Sequence, residues 1–322
     1  MKKREFLKTG ALAATGLLLG GPEALAARAF APQNAVPQDR NAMMQAAMER
    51  RTRLKAPVTA RGKIGNVEVS RLILGGNPFG GWMHSRDLRY VPALAKAYLT
   101  EGKVMEIFQM AENCGINTIA GHPVMIDILT KYWNRGIGKI QWISDCGGND
   151  FIEAAKRSVD AGACAGYCQG QNCDALVEKG DFATIEKGLQ ILRDAGLPAG
   201  LGAHSIKTFQ ACIARGIVPD FWFKTLHHLN YWSAMTDKPR RDNVYCEDAE
   251  ETIAYMETRP EPLVAFKVMA AGAIPPAEGI QYGLDGGGDF LCLGMFDFNM
   301  IEDVNLFNEA LAKVNRKRPW RG

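Results

Sequence analysis

Eight short apolar runs recur along the chain, each followed by a segment of helical periodicity, and nearly every run ends in a polar or reactive residue. The runs are VSRLILGGNP to Asn77, INTIAGH to His122, IQWISD to Asp145, ACAGYCQ to Gln169, LPAGLGAH to His204, PDFWFK to Lys224, PLVAFK to Lys267 and FLCLGMFD to Asp297. Apolar runs of this length alternating with amphipathic helices predict a parallel sheet, and eight such units predict a closed (β/α)8 barrel over residues 61–318. In that architecture the chemistry gathers at the carboxyl ends of the strands. The ring of endings is therefore the predicted active-site face.

The helices are bounded by their stops. GKVMEIFQMAENCG, FIEAAKRSVDAG, FATIEKGLQILRDAG and IKTFQACIARG close on Gly115, Gly162, Gly196 and Gly216, and each is followed by the next apolar run. Period-two alternation in PLVAFKVM places Val264, Phe266 and Val268 under the helices and Leu263, Ala265 and Lys267 toward the lumen. By the same count Lys224 shares a face with Trp222, and His204 shares one with Gly200 and Gly202. Two connections on the active-site face exceed ordinary loop lengths, residues 80–103 and 229–250. The first carries Trp82, His84 and Arg86 and the second Tyr231, Trp232, Lys238, Arg240 and Arg241, so both are expected to cover a substrate. Asn77, Trp82, Arg86, Gln169, Trp232 and Arg240 are the candidate substrate contacts. Aromatic residues mixed with Arg and Asn suit a small hydroxylated or acidic molecule.

Length and charge bring few surprises: 322 residues accommodate one barrel and an extension, and a net charge of +3 argues against a nucleic-acid partner. The amino-terminal residues change the picture more. Lys2, Lys3, Arg4 and Lys8 precede a short apolar stretch, Ala11–Gly20, and Ala24-Leu25-Ala26 forms a small-x-small cleavage site. Residues 1–26 are thus expected to be an export signal, with a periplasmic or extracellular destination. KREFLK at Lys3–Lys8 resembles the twin-arginine translocation signal, with Lys3 in place of the first arginine. The stretch is too short for an ordinary membrane span. Residues 27–60 read as a linker with a helix near Asn41–Arg53. In an oxidising compartment, Cys168 and Cys173, flanking the turn after the fourth run, can close a disulfide loop, and a metal cluster with Cys146 is the alternative reading.

VSRLILGGNPFGG at Val69–Gly81, AENCGINTIAGH at Ala111–His122, and LVAFKVMAAGAI with FLCLGMFDFNMIEDV together resemble the aldo-keto reductase superfamily. The resemblance implies a barrel, and an active site made of an Asp and a Tyr five residues apart after the second strand, a Lys ending the third and a His ending the fourth. Here those positions hold Ala120, Met125, Asp145, and Tyr167 or Gln169. NADPH-dependent carbonyl reduction is therefore not expected. No Gly-x-Gly-x-x-Gly follows a strand either, since Gly286-Gly287-Gly288 precedes the last one.

Three mechanisms fit the ring of endings. His122, Asp145 and His204, with His227 or His228 as a fourth ligand, can converge on a divalent metal such as Zn, Mn or Fe, as in a sugar isomerase, epimerase or lyase. Alternatively, Lys224 and Lys267 end adjacent strands, and FKT with FKVMAAG is similar to the paired lysines of Schiff-base barrel aldolases. In a third reading the ring only binds a sugar or organic acid. The expected activity is that of an enzyme on a small carbonyl or carbohydrate substrate, with Lys224, Lys267, His204, His122 and Asp145 as acid–base groups, amines or ligands.

Overall fold

The computed structural model describes residues 40–234 and 242–322. The expected export signal and the loop residues Lys238, Arg240 and Arg241 lie outside the described residues. A helix runs Arg40–Thr52, and the barrel belongs to a compact unit, Ala47–Gly322. Strands β1 (Arg61–Ile64) and β2 (Val67–Ser70) pair as an antiparallel hairpin. Eight parallel strands then close a barrel: β3 (Leu72–Gly75), β4 (Thr118–Gly121), β5 (Gln141–Ser144), β6 (Ala165–Cys168), β7 (Ala199–Ala203), β8 (Phe221–Thr225), β9 (Leu263–Phe266) and β10 (Phe290–Leu293). The barrel runs in chain order, with β10 pairing back onto β3. The chain is thus a (β/α)8 barrel. No helix among the described residues is long and apolar enough to cross a membrane.

The apolar runs are continuous because each strand is buried on both faces. Ile73, Ile143, Tyr167, Phe223, Val264 and Phe290 fill the lumen, and Ile64 and Val69 of the hairpin join them. Leu72, Leu74, Trp142, Leu201, Trp222 and Leu263 pack outward under the helices. The expected parity of β9 is therefore reversed: Val264 and Phe266 face the lumen, and Leu263 and Ala265 face out. With both faces apolar, side-chain bulk does not mark the inner one.

The expected stops hold. Gly115, Gly162, Gly196 and Gly216 sit at φ of 84°, 82°, 73° and 77°, the left-handed conformation that ends a helix without a Cβ clash. Starts are capped by side chains: Asp150 accepts from the amide of Ile152 at 2.8 Å, and Ser205 from that of Lys207 at 3.2 Å. Three features depart from expectation, the first being that the run VSRLILGGNP begins in β2, which pairs with β1 outside the barrel, before entering β3. A helix, Gly170–Glu178, stands between β6 and the helix Phe182–Asp194. Asp297 does not end β10 but opens the helix Asp297–Leu311, where it accepts from Tyr98 Oη at 2.8 Å and lies 3.3 Å from Lys103 Nζ.

Candidate active site

Lys267 follows the last residue of β9 and has φ +56°. A left-handed backbone at a non-glycine residue is uncommon and needs support from its surroundings. The turn takes Lys267 off the strand's alternation. Its Nζ lies 3.8 Å from the centroid of the Tyr245 ring and 3.3 Å from Nε2 of His204.

His204 follows β7, on the same face as Gly200 and Gly202. A Cβ on Gly202 would stand 2.8 Å from the carbonyl oxygen of Cys168 and 3.0 Å from Tyr167, so the lumen has no room for a side chain there. His204 is held from behind by Asp174 of the helix Gly170–Glu178. One carboxylate oxygen, Oδ2, receives both the His204 amide and Nδ1, each at 3.0 Å, and Thr208 donates to Oδ1 at 2.6 Å. Burial pushes the Asp174 carboxyl up, but the hydrogen bonds from His204 and Thr208 outweigh it and hold the pKa below its ordinary value. An ionised carboxylate only accepts, so the proton of the neutral ring is on Nδ1 and Nε2 presents its lone pair to Lys267. Asp174, His204 and Lys267 form one chain of proton-carrying groups.

Lys224 corrects an expectation. It lies on the outer face with Trp222, is fully buried, and donates to the His204 carbonyl at 2.6 Å, the Thr225 carbonyl at 3.1 Å and Asp248 Oδ1 at 3.4 Å. The amine is occupied beneath the helices, so the paired-lysine arrangement has only Lys267 on the active-site face. Lys224 instead anchors the backbone from which His204 projects.

The two long connections meet over Lys267. Asp242 Oδ1 lies 2.7 Å from His84 Nδ1 and accepts from Tyr245 Oη at 2.6 Å, while its Oδ2 accepts from the Ser85 amide at 2.8 Å. His227, fully buried, supports this junction: Nε2 accepts from the amides of Tyr245 and Cys246 at 3.0 and 3.1 Å, and Nδ1 donates to the His228 carbonyl at 2.9 Å. Burial lowers its pKa to about 4, so it is a neutral structural ring at physiological pH.

A second group lies at the ends of β4 and β5. His122 Nδ1 accepts from the Val124 amide at 3.0 Å, and Trp82 packs on the ring with centroids 4.4 Å apart. Asp145 is buried and accepts from the Gly147 amide at 2.7 Å. A Cβ on Gly147 would approach His122 Cδ2 to 2.5 Å and Asp145 Oδ1 to 2.8 Å, so the turn passes both groups only as glycine. Burial raises the Asp145 pKa to about 7, against the lowering by its amide hydrogen bond. The folded state thus keeps a proton that the unfolded state releases near pH 4. Stability from this group is complete below about pH 4 and falls by roughly 4 kcal/mol as pH rises to about 7. Asp145→Asn keeps the acceptor and removes the titration. Its melting temperature should decline less between pH 5 and pH 8 than the wild type's. Asp303, which burial also raises to about 7, supplies the remaining slope. Identical declines in the two proteins would show that Asp145 ionises normally.

The remaining candidates separate by location. Gln169 caps its helix through the Asn172 amide at 3.0 Å, and Asn77 opens the short helix Asn77–Gly80. Trp82, Arg86 and Trp232 are exposed, and Arg240 lies outside the described residues. The expected metal set is not assembled: His228 turns to Glu278 Oε1 at 3.0 Å, and no group of three or more His, Cys, Asp or Glu among the described residues is arranged to hold an ion. His227 spends both ring nitrogens on backbone. Cys168 and Cys173, which could close a disulfide loop, are buried free thiols here. Cys146 takes hydrogen-bonding partners in the Ser144 carbonyl and Ser158 Oγ.

Asp174, Asp242 and Tyr245 were not legible as site residues. A signal for the first exists in GQNCDALVEKG, an apolar spacing of Cys173, Leu176 and Val177 closed by Gly180 at φ +74°. Asp242 and Tyr245 belong to an irregular loop and carry no comparable mark.

No protein-family model matches the chain, and no curated protein matches its sequence. Solved structures do resemble it. One described as an aldo-keto reductase from Pseudomonas aeruginosa is 15% identical, with a TM-score of 0.55 over 80% of this chain and 98% of that one. A truncated 3-deoxy-D-arabino-heptulosonate 7-phosphate synthase from Thermotoga maritima is 10% identical, with a TM-score of 0.50 over 79% and 92% of the two chains. Likeness at these identities concerns the barrel, a framework that hosts many chemistries.

Proposed function

We propose that this chain is a barrel enzyme performing acid–base chemistry on a small carbonyl or carbohydrate substrate, with Lys267 and His204 at its centre. The observation that carries the reading is the 3.3 Å approach of Lys267 Nζ to His204 Nε2, with Asp174 fixing the far side of the imidazole. Lys267, as ammonium over the Tyr245 ring, donates to a substrate oxygen and stabilises negative charge developing there. His204 Nε2 takes a proton from the neighbouring carbon or hydroxyl, and Asp174 stabilises the resulting imidazolium. Tyr167 stacks on Phe223 at 4.3 Å, and Phe266 packs on Phe223 at 4.9 Å, an aromatic floor suited to the C–H face of a sugar.

Ala120 and Met125 stand where the aldo-keto reductase resemblance would require Asp and Tyr, and both are buried, which supports a chemistry other than nicotinamide-dependent reduction. The amino-terminal sequence supports export before function. Periplasmic recovery of the full chain, and its cytoplasmic retention on Arg4→Gln, is the expected result of fractionation.

The central test is proton exchange. The protein is incubated in deuterium oxide with glyceraldehyde, dihydroxyacetone and a panel of aldoses, ketoses and hydroxy acids, and deuterium next to the carbonyl is read by NMR. At least one compound should exchange in the wild type, and Lys267→Met and His204→Gln should each slow it about a hundredfold or more. Equal rates in all three proteins would refute the proposal.

A further inference from the structure

We infer that His84 is a second catalytic acid–base group, placed opposite His204, and that the enzyme inverts a carbon bearing both a hydroxyl and a hydrogen beside a carbonyl. The inference rests on the proposed acid–base reading of the Lys267 site. It starts from a repetition in the structure. Asp174 holds Nδ1 of His204 at 3.0 Å, and Asp242 holds Nδ1 of His84 at 2.7 Å. Burial pushes the Asp242 carboxyl up, but Tyr245, the Ser85 amide and His84 outweigh it and keep the group ionised. The proton of neutral His84 is therefore on Nδ1 as well, and Nε2 carries the lone pair. Among the described residues, nothing hydrogen-bonds that nitrogen.

Contacts across the two long connections give the imidazoles their relation, with Asp242 and Tyr245 of the connection after β8 holding His84. His84 lies in the connection leaving β3 and His204 at the end of β7, four strands apart in either direction around the eight-stranded barrel. Lys267 follows β9, which lies two strands from both β3 and β7. Both rings gather on Tyr245, with centroids 4.9 Å away for His84 and 6.4 Å for His204, and the Lys267 ammonium lies over the same ring. The result is one cation beside two imidazole–carboxylate pairs that meet around a single tyrosine ring.

A substrate whose carbonyl oxygen meets Lys267 presents its neighbouring carbon between the two rings. His204 Nε2 takes the proton, the C–H electron pair becomes the C–C double bond of an enolate, and the negative oxygen is held by the Lys267 ammonium. His84, protonated from solvent, returns a proton to the opposite face, and the carbonyl re-forms. The carbon leaves inverted. His204 then loses its proton to solvent and His84 regains one, so no oxidant or cofactor enters the balance. The reverse reaction exchanges the two roles.

The test uses a compound that exchanges in the wild-type protein and follows both substrate-proton washout and appearance of the epimer. His84→Gln, which keeps a donor toward Asp242, should lose epimer formation about a hundredfold while His204-dependent washout from the starting sugar stays within about threefold. His204→Gln should show the mirror pattern when the reaction starts from the epimer. Asp242→Asn should weaken epimer formation more than washout, and thermal unfolding checks that all variants are folded. Parallel loss of washout and epimer in folded His84→Gln makes His84 structural and overturns the inference alone, as does wild-type exchange without any epimer. Absence of exchange with every compound removes the underlying reading and this inference with it.

Discussion

Asp289→Ala should lower stability by about 3–5 kcal/mol, because it leaves two buried guanidinium groups without their counter-charge. Asp289 is fully buried at the start of β10 and accepts from Arg316 Nη2 at 2.9 Å, from Arg318 Nη1, and from the amides of Leu263 and Arg321 at 2.9 Å each. Its own carbonyl accepts from Arg71 at 2.9 Å. One carboxylate thus ties the carboxyl-terminal segment to the amino ends of β9 and β10. For a chain of this size the loss corresponds to a fall in melting temperature on the order of 10 °C. Chemical denaturation of the wild type and variant measures it directly. A change below about 1 kcal/mol would mean that solvent reaches the guanidinium groups once the carboxylate is gone.

Lys224→Met is expected to cost about 2–3 kcal/mol, since it removes the charge-assisted hydrogen bonds of a fully buried ammonium and leaves the partly buried Asp248 without its cation. Methionine keeps most of the aliphatic stem, so packing against the outer face changes little. Burial pushes the Asp248 carboxyl up, and the Lys224 charge with hydrogen bonds from the Ile206 amide and Thr252 brings it below its ordinary value. Stability from that depressed carboxyl is present above about pH 4 and is lost as pH falls through the folded-state value. The wild type should therefore lose more stability than the variant on acidification below pH 4. Denaturant midpoints at pH 7 and pH 3 read both effects. Equal stability at pH 7 would overturn the anchoring role. The same variant separates anchoring from chemistry: the His204 amide and Nδ1 still donate to Asp174, so proton exchange should fall far less than in Lys267→Met.

The two lysines show where sequence reasoning reaches its limit. Both end apolar runs, and local pattern treats them alike. In a parallel barrel each strand is apolar toward the lumen and toward the helices, so alternation defines two faces without saying which is inner. Phe223 and Phe266 turned out to be lumen residues, which put Lys224 outside. Lys267 shares that outward parity by count and reaches the site because its backbone turns to φ +56°. No residue type in FKVM announces such a turn. Asp174 and Asp242 show a second limit, since each becomes a partner of histidine only when segments distant in sequence meet.

By itself the sequence determined the number and order of the barrel's eight strands, the helix stops at glycine, the closed barrel and the face on which the polar endings gather, but not the hairpin of β1 and β2. These follow from local rules: apolar periodicity, chain stiffness and the left-handed tolerance of glycine. Tertiary structure alone decided which endings converge. It separated Lys224 from Lys267, sent His228 to Glu278, and set His84 and His204 against carboxylates around one ammonium. Those choices depend on strand facing, a strained backbone turn and charge pairing across the barrel, all of which exist only after the chain has closed on itself.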